Sequence, residues 1–419
     1  MRVFIGLREV AGYYGNLKKG FDENNIDCDF LNLGGSKMNY SSGKNSRWVT
    51  YFNIIGNNIG DKFSKNFILR FIWLTVFQNV FSLFALFIAL FRYDVFIMGS
   101  NSTFFFFLEL PILKIFRKKV IYVFLGTDSR PLYLNGYVYK GGKNLRIIMV
   151  LTKIQKLVIK RIEKYATYVI NHPPQAYFHK KDFISILKVG IPHYVVKNEI
   201  NISKSEVVRI IHIPSKSGPK GSILIQEIIN RLKKKFEIDY VMITGISNNE
   251  VLKIIGTADF AIDEFYSDTP MAVFATECAF QGVPTVVGGY YAEKIQDDYY
   301  KDIIPPSMFV LPENMEQAIE KLIVDEEYRK KLGKEAFEFV SKKWSAKLVA
   351  KKYEQIIDGN FPNDWYYKPN EISYLYGCGL SKEEVKDNIS LFIKKGGINS
   401  LCLKDKKHLE NEYLKLMNI

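Results

Sequence analysis

The sequence predicts an α/β protein of two parallel-sheet halves facing each other across a cleft. Three observations predict it. Short apolar runs alternate with helical patterns over most of the chain, the pattern of parallel strands joined by crossover helices. The runs fall into two groups of about five, one in each half. A chain of 419 residues is ample for two cores.

In the first half the strands read as "RVFIGL", "DCDFLNL", "DVFIMGS", "KVIYVFLG" and "ATYVIN". In the second they read as "VRIIHIPS", "DYVMITG", "DFAIDEF", "PTVVGG" and "MFVLP". Helices fill the intervals. The segment "VGIPHYVVKNEINISKSE", 189–206, reads as the junction. This gives a Rossmann-like domain over 1–195, a second over 205–340, and a crossing helix with a C-terminal extension over 341–419. Two such halves place a ligand at the strand carboxyl ends. Residues 318–358 are helical with charged outer faces. The stretch "DGNFPNDWYYKPNEISYLYGCGL" is rich in aromatics, Gly and Pro, and a helical appendage follows from Ser381 to Ile419. The "FFFF" at 104–107 reads as core packing.

The net charge of +14 is uneven, with +17 in residues 1–204 and −3 in 205–419. A basic half predicts an anionic partner surface, either membrane or nucleic acid. No nucleic-acid recognition motif is present, and aromatics are not interleaved with basic residues in a known pattern. The run from Phe67 to Phe91 is long enough to span a membrane. A buried strand follows it almost at once, however, and Arg70, Gln78, Asn79 and Ser82 interrupt it. It reads as one or two buried helices with a face open to lipid. "MRVFIGL" begins directly as a strand, so no cleavable signal peptide is expected. The four cysteines are scattered without a C-x-x-C pair, which fits a reducing compartment and argues against a zinc site or disulfide framework. The expected location is the cytoplasm, peripheral to the inner face of the membrane. The five histidines show no metal-ligand spacing. "DCD" at 27–29 mimics a metal-binding Asp-x-Asp, but it enters the second strand as a turn and edge feature. Neither metal dependence nor a cofactor is expected.

The chemistry concentrates around "SDTPMAVFATECAFQGVPTVV". Asp268 and Thr269 are N-cap candidates, Pro270 suits the first helical position, and Gly282 and Pro284 end the helix, which should run from about 270 to 280. Glu277 sits inside this apolar helix. It lies on the same face as Pro270, two turns along, roughly 10 Å away. Free N–H groups at a helix start attract anions. A ligand with a diphosphate there can lay a ribose along that face, its hydroxyls donating to Glu277. Alternatively, Glu277 is a buried carboxylate satisfied by backbone groups or a Lys. Lys216 and Lys220 flank a Gly-containing turn after a buried strand. They either neutralise a leaving diphosphate or are solvated. Gly221 permits close backbone approach. Asp128 and Arg130 follow a strand end, where cleft residues lie, or form a structural ion pair. In "REVAGYYGN", Gly12 and Gly15 open the backbone to a ligand and Asn16 can donate to it, or the loop is an ordinary turn. His172 in "NHPP" ends a strand and either approaches the cleft or is structural.

These stretches resemble the nucleotide-sugar-binding domain of the GT-B glycosyltransferases, most of all the retaining family 4 (group 1). "HIPSKSGPKGS", "TADFAIDEF", "ATECAFQGVPTVV" and "LGKEAFEFVSKKWSAKLVAKKYEQI" follow the family's order over about 208–358. In the first half, "LELPILKIFRKKVIYVFLGTDSR" resembles the region facing the cleft. The resemblance implies a GT-B fold whose last helix crosses back to the first domain. It implies a donor site of Ser215, Lys216, Lys220, Gly221, Thr269, Met271, Ala272 and Glu277, with Glu277 on the ribose. Asp128 and Arg130 take the catalytic position, and Gly12, Gly15, Asn16 and Thr127 the acceptor side. The activity implied is sugar transfer with retention, from a nucleotide-sugar co-substrate to a glycan or lipid-linked acceptor in envelope polysaccharide assembly. An anionic membrane surface suits the basic half. Two positions depart from the family: Thr269 replaces the first Glu of its Glu-x7-Glu pair, and Leu125 stands where many relatives carry His. Two other readings exist. One is a sugar-nucleotide epimerase on the same fold, which needs cleft acid/base residues that are few here. The other is a nonenzymatic nucleic-acid-binding protein.

Overall fold

Alternation along the apolar runs builds the first sheet. In β1 (Arg2–Leu7), Phe4 enters one apolar cluster while Val3 and Ile5 enter the opposite one, as a strand buried on both faces requires. The computed structural model describes residues 1–33, 45–62, 78–139, 144–193 and 207–417. After β1 come α1 (Tyr13–Glu23), β2 (Asp27–Asn32), α2 (Arg47–Lys62), α3 (Gln78–Arg92), β3 (Val95–Gly99), α4 (Glu109–Ile115), β4 (Lys119–Val123), α5 (Leu145–Tyr165), β5 (Tyr168–Asn171) and β6 (Phe183–Ser185). The five expected strands are present, and β6 is an addition. The strands pair in parallel, β1 with β2 from Arg2 opposite Asp27 and with β3 from Val3 opposite Val95. The "DCD" motif lies on β2, an edge strand. There Asp27 pairs with Arg2, and Asp29 accepts hydrogen bonds from Tyr93 and the Ser46 amide.

The second sheet contains β7 (Val208–His212), β8 (Ile238–Met242), β9 (Phe260–Ile262), β10 (Thr285–Gly288) and β11 (Met308–Val310), in the spatial order β11-β10-β9-β7-β8. All five were expected. The intervening helices are α6 (Ser222–Leu232), α7 (Asn248–Ile255) and α8 (Val273–Phe280). Then come α9 (Met315–Val324), α10 (Glu326–Lys343) and α11 (Ala346–Asp358).

The helix α11 packs on α1 of the first domain. Tyr13 and Tyr353 hydroxyls lie 2.8 Å apart, and the Asn24 side chain donates to the Lys347 carbonyl at 2.9 Å. Gly20 permits this contact, since a Cβ there would sit 2.0 Å from the Ala346 carbonyl oxygen. One apolar cluster therefore runs from Val3, Tyr14 and Ile97 through Val349 and Tyr353 to Met271, Ala275 and Tyr291 of the second half. The tail then returns to the first sheet as β12 (Tyr366–Tyr367), antiparallel to β6. It ends in α12 (Lys382–Gly396) and α13 (Lys407–Leu416), which cover the face already packed by α3, α4 and α5.

One reading needs correction. In "FFFF" only Phe104 and Phe107 are buried; Phe106 is 62% exposed, because the chain turns through positive φ at Phe106 and Phe107 and does not alternate as a strand. Of the apolar run 67–91, residues from Gln78 onward form α3, whose Ala85, Leu86, Ala89 and Leu90 are buried while Phe84, Phe87 and Phe91 are exposed. The rest of that run, and residues 194–206 of the junction, lie outside the described residues. Among the described residues no helix is long and apolar enough to cross a membrane. Replacing Gly20 by Leu should separate α1 from α11 and cost about 1–3 kcal/mol or more of stability, read as a lower thermal midpoint; an unchanged midpoint would contradict this packing.

Candidate functional site

A cavity of about 400 Å³ lies between the carboxyl ends of the two sheets. The first domain lines it with Val10, Ala11 and Tyr13 after β1, with Leu125, Gly126, Thr127 and Arg130 after β4, and with His172 and Gln175 after β5. Opposite are Ser215 and Lys220 after β7, Gly245 and Asn248 after β8, Glu264 after β9, and Thr269, Ala272 and Glu277 around α8.

Its centre is an ion pair between the domains. Arg130 Nε donates to Asp268 Oδ2 at 2.9 Å, and Nη2 reaches the same oxygen. Both residues are buried, at 3% and 2% exposure. Burial alone would lower Arg130; Asp268 outweighs it and holds the guanidinium above its ordinary value. Gln175 donates to the other Asp268 oxygen at 3.3 Å. His172 Nε2 lies 2.9 Å from the Asp268 carbonyl oxygen. A carbonyl only accepts, so Nε2 carries the proton, leaving Nδ1 to accept from Tyr299 at 3.5 Å. Burial lowers this imidazole to about 4, so it is neutral near pH 7.

A second cluster sits on the β9 exit. Lys220 Nζ donates to Asp263 Oδ1 at 2.7 Å and lies 3.6 Å from Glu264. Tyr137 and Cys378 also donate to Glu264, at 3.3 and 3.5 Å. Burial works against the Lys220 charge, but the two carboxylates outweigh it and hold the ammonium well above its usual value. Burial raises Glu264; Lys220 pulls it back and Asp263 pushes it up again.

Glu277 stands apart, 5% exposed on α8. Asn248 at the start of α7 donates to its Oε1 at 2.7 Å. Burial pushes its carboxyl up to about 7, against the pull of that bond. The helix differs from the expected one. It starts at Val273 with Ala272 as N-cap and no side-chain cap. Asp268 is held by Arg130, and Thr269 closes a local turn with Ser267. Neither expected cap is available, and the chain bends through Asp268, Thr269 and Pro270 before the helix begins at Val273. The uncapped first turn meets the cavity at Ala272, Val273 and Phe274.

Of the sequence candidates, Thr127, Arg130, Ser215, Lys220, Thr269, Ala272 and Glu277 line the cavity. Others do not. Lys216 is exposed at the start of a helical turn. Gly221 adopts φ +72°, and a Cβ there would lie 2.4 Å from Phe265, so close packing fills its surroundings. Met271 is buried in the shared apolar core. Asp128 is buried and accepts from the Ser100 and Leu125 amides, bracing the turn that carries Arg130; burial raises its carboxyl to about 6. Gly12 starts α1, the Gly15 amide donates to Glu9, and Asn16 continues the helix, so Val10 and Ala11 form the wall instead. Sequence reasoning missed Asp263, Glu264, Tyr137, Asn248 and Cys378 as site residues. Adjacent carboxylates after the apolar "FAI" were a readable signal for the first two. Among the described residues no group of three or more His, Cys, Asp or Glu side chains is arranged to hold a metal ion.

The architecture matches that of known proteins. HepE of Anabaena, solved with UDP and glucose, superposes over 85% of this chain and 99% of its own, at TM-score 0.50 and 10% identity. The chain has the GT-B fold. A HepE structure with UDP-glucose gives a TM-score of 0.47 at 9% identity, over 85% of this chain and 99% of that one. The glycosyltransferase SnogD from Streptomyces nogalater gives 0.43 at 10% identity, again over 85% and 99%. No family model and no curated protein sequence matches the chain.

Replacing Asp268 by Ala leaves the Arg130 guanidinium buried without its partner and should cost about 3–5 kcal/mol. The double change Arg130→Met with Asp268→Leu should recover most of that loss, as thermal unfolding of the three variants would show. A double variant no more stable than Asp268→Ala would refute the ion-pair account.

Proposed function

We propose that the chain is a nucleotide-sugar-dependent glycosyltransferase. The observation that carries this is Glu277: a buried carboxylate without a cation partner among the described residues, on the wall of an interdomain cavity, four residues into a helix with an uncapped start. A buried carboxyl raised to about 7 is costly to the folded chain. Two ribose hydroxyls donating to it would relieve that cost. The α8 start favours the diphosphate. HepE, which shares the fold, was solved with UDP and with UDP-glucose, and this supports a uridine diphosphate as the first donor probe.

The proposed reaction is retaining. The acceptor hydroxyl attacks the anomeric carbon from the leaving-group side, the bond from that carbon to the diphosphate oxygen breaks, and the proton passes to the departing oxygen. The engagement of nearby bases supports this. His172 has both ring nitrogens occupied, and Asp268 is bound by Arg130. Lys220 lines the same cavity, tethered by Asp263 and Glu264. Arg130 and Asp268 hold the domains at the distance that brings the reactants together and excludes water. The acceptor is proposed to be a glycan or a lipid-linked glycan in envelope polysaccharide assembly, met at an anionic membrane surface on the cytoplasmic side.

Glu277→Gln tests the site in two ways. It should weaken UDP or UDP-glucose binding by about 1.5–3 kcal/mol, measured calorimetrically. It should also stabilise the empty protein. The Glu277 carboxyl titrates near 7 when folded and near 4.5 when unfolded, so its contribution is fully present below 4.5 and is lost as pH rises to 7. Gln removes that loss, which amounts to at most about 3 kcal/mol. The thermal midpoint of the variant should therefore exceed that of the wild type at pH 8 and match it near pH 4. Unchanged donor affinity at an intact fold would end the ribose assignment.

Metal dependence is a separate question. Transfer should survive excess chelator, because a helix start and Lys220 take the place of a divalent ion. Loss of activity in chelator, restored by magnesium or manganese, would reopen the role of Asp27 and Asp29.

A further inference from the structure

The helices α3, α4 and α5 lie side by side on one face of the first sheet, and their outer surface is both apolar and basic. Phe84, Phe87, Phe91, Phe106, Ile115 and Leu157 are between 62% and 76% exposed. The surface is continuous. Phe91 lies 5.3 Å from Phe87 along α3 and 6.1 Å from Phe116 at the end of α4. Arg161 of α5 donates to the Phe107 carbonyl beside α4 at 2.7 Å. Soluble proteins rarely leave so wide an apolar face open without a partner.

The exposed charges carried by these three helices are basic, and beside α5 Asp405 of the tail pairs with Lys156 and Lys180. Arg92, Lys114, Arg117, Lys153, Lys160 and Lys164 are exposed. Between residues 78 and 165 the carboxylates are Asp94, Glu109, Asp128 and Glu163. Asp94 binds the Arg2 amide at the start of the sheet. Glu109, Asp128 and Glu163 are buried, bonded to Thr103, to the Ser100 amide and to His179 respectively.

We propose that this face docks on an anionic lipid bilayer, with the phenylalanines and aliphatic side chains entering the headgroup layer and the Lys and Arg groups meeting lipid phosphates. The occupant follows from chemistry. Apolar insertion and electrostatic attraction act together only at such a surface. A nucleic acid would leave Ile115 and Leu157 without use, since base stacking selects aromatics. A second copy would set this basic face against itself. None of these residues lines the cleft cavity. The proposal deepens the membrane-partner reading above and rests on it for its purpose, but docking itself requires no donor.

The test is sedimentation of the full chain with vesicles of phosphatidylglycerol in phosphatidylcholine, and with phosphatidylcholine alone, beside a calorimetric titration with UDP. The wild type should bind the anionic vesicles and release them in part as salt rises. Lys153→Gln with Lys160→Gln should lower the partition coefficient roughly 25-fold, about fivefold for each charge. Phe87→Ser with Leu157→Ser should remove the salt-resistant part, at unchanged thermal midpoint. The UDP titration should match wild type in both variants. Equal binding to neutral and anionic vesicles, wild-type vesicle binding by both variants, or self-association through this face in place of vesicle binding would each overturn the proposal, whatever the UDP titration reads. Vesicle binding without UDP binding would sustain it while removing support from the transferase reading.

Discussion

The buried ion pair between Arg130 and Asp268 organises the molecule. It joins the loop after β4 to the segment before α8, so it fixes one domain against the other where their strands end. Taking two charges out of water is expensive, and the pair persists because its remaining bonds are also made. Gln175 takes the second carboxylate oxygen, and His172 takes the backbone carbonyl of the same residue. The consequence reaches the helix. An Asp that pairs with Arg130 cannot cap α8, and the uncapped α8 start is what opens onto the cavity.

The cleft is electrostatically unusual for the proposed diphosphate site. Arg130 is a buried cation and Lys220 a partly buried one on its wall, and each is already committed to carboxylates. The lining carboxylates Glu264, Asp268 and Glu277, together with Asp263 bonded to Lys220, outnumber them. Attraction for the proposed anion therefore falls to the backbone N–H groups of α8 and to protonation of Glu277, whose carboxyl burial raises to about 7. In this arrangement the cations act mainly as structural counter-charges, and the proposed diphosphate would have to draw Lys220 from Asp263 and Glu264.

The tail has a comparable part in assembly. The Gly136 amide donates to the Cys378 carbonyl, and the Gly379 amide donates to the Tyr266 carbonyl, so consecutive residues of one extended segment grip both domains. This brings Cys378 beside Glu264, while α12 and α13 complete the core beneath α5. A single apolar cluster crosses the domain boundary on the other side of the sheet. The two halves are thus held at the cleft, along α11 and by the tail.

The sequence by itself determined five strands of each sheet, because runs such as "RVFIGL" and "PTVVGG" are short, apolar and bounded by turn residues whatever surrounds them; β6 and β12 it did not show. It also marked Glu277, since a carboxylate inside "AVFATECAF" is conspicuous without any fold, and the direction of α11, through the family pattern it resembles. What it left open were interactions between residues far apart in the chain. Asp268 looked like a helix cap because capping is a local interaction, and only the fold brings Arg130, 138 positions away, to claim it. Lys220 looked free because Asp263 and Glu264 belong to another strand. Asp128 looked like a cleft residue, although its neighbours' amides turn it inward. Cys378 could not be placed at all, since nothing local directs an irregular tail across a cleft. Local propensity and periodicity are written in consecutive residues; the pairing of buried charges is decided by which elements the tertiary structure sets side by side.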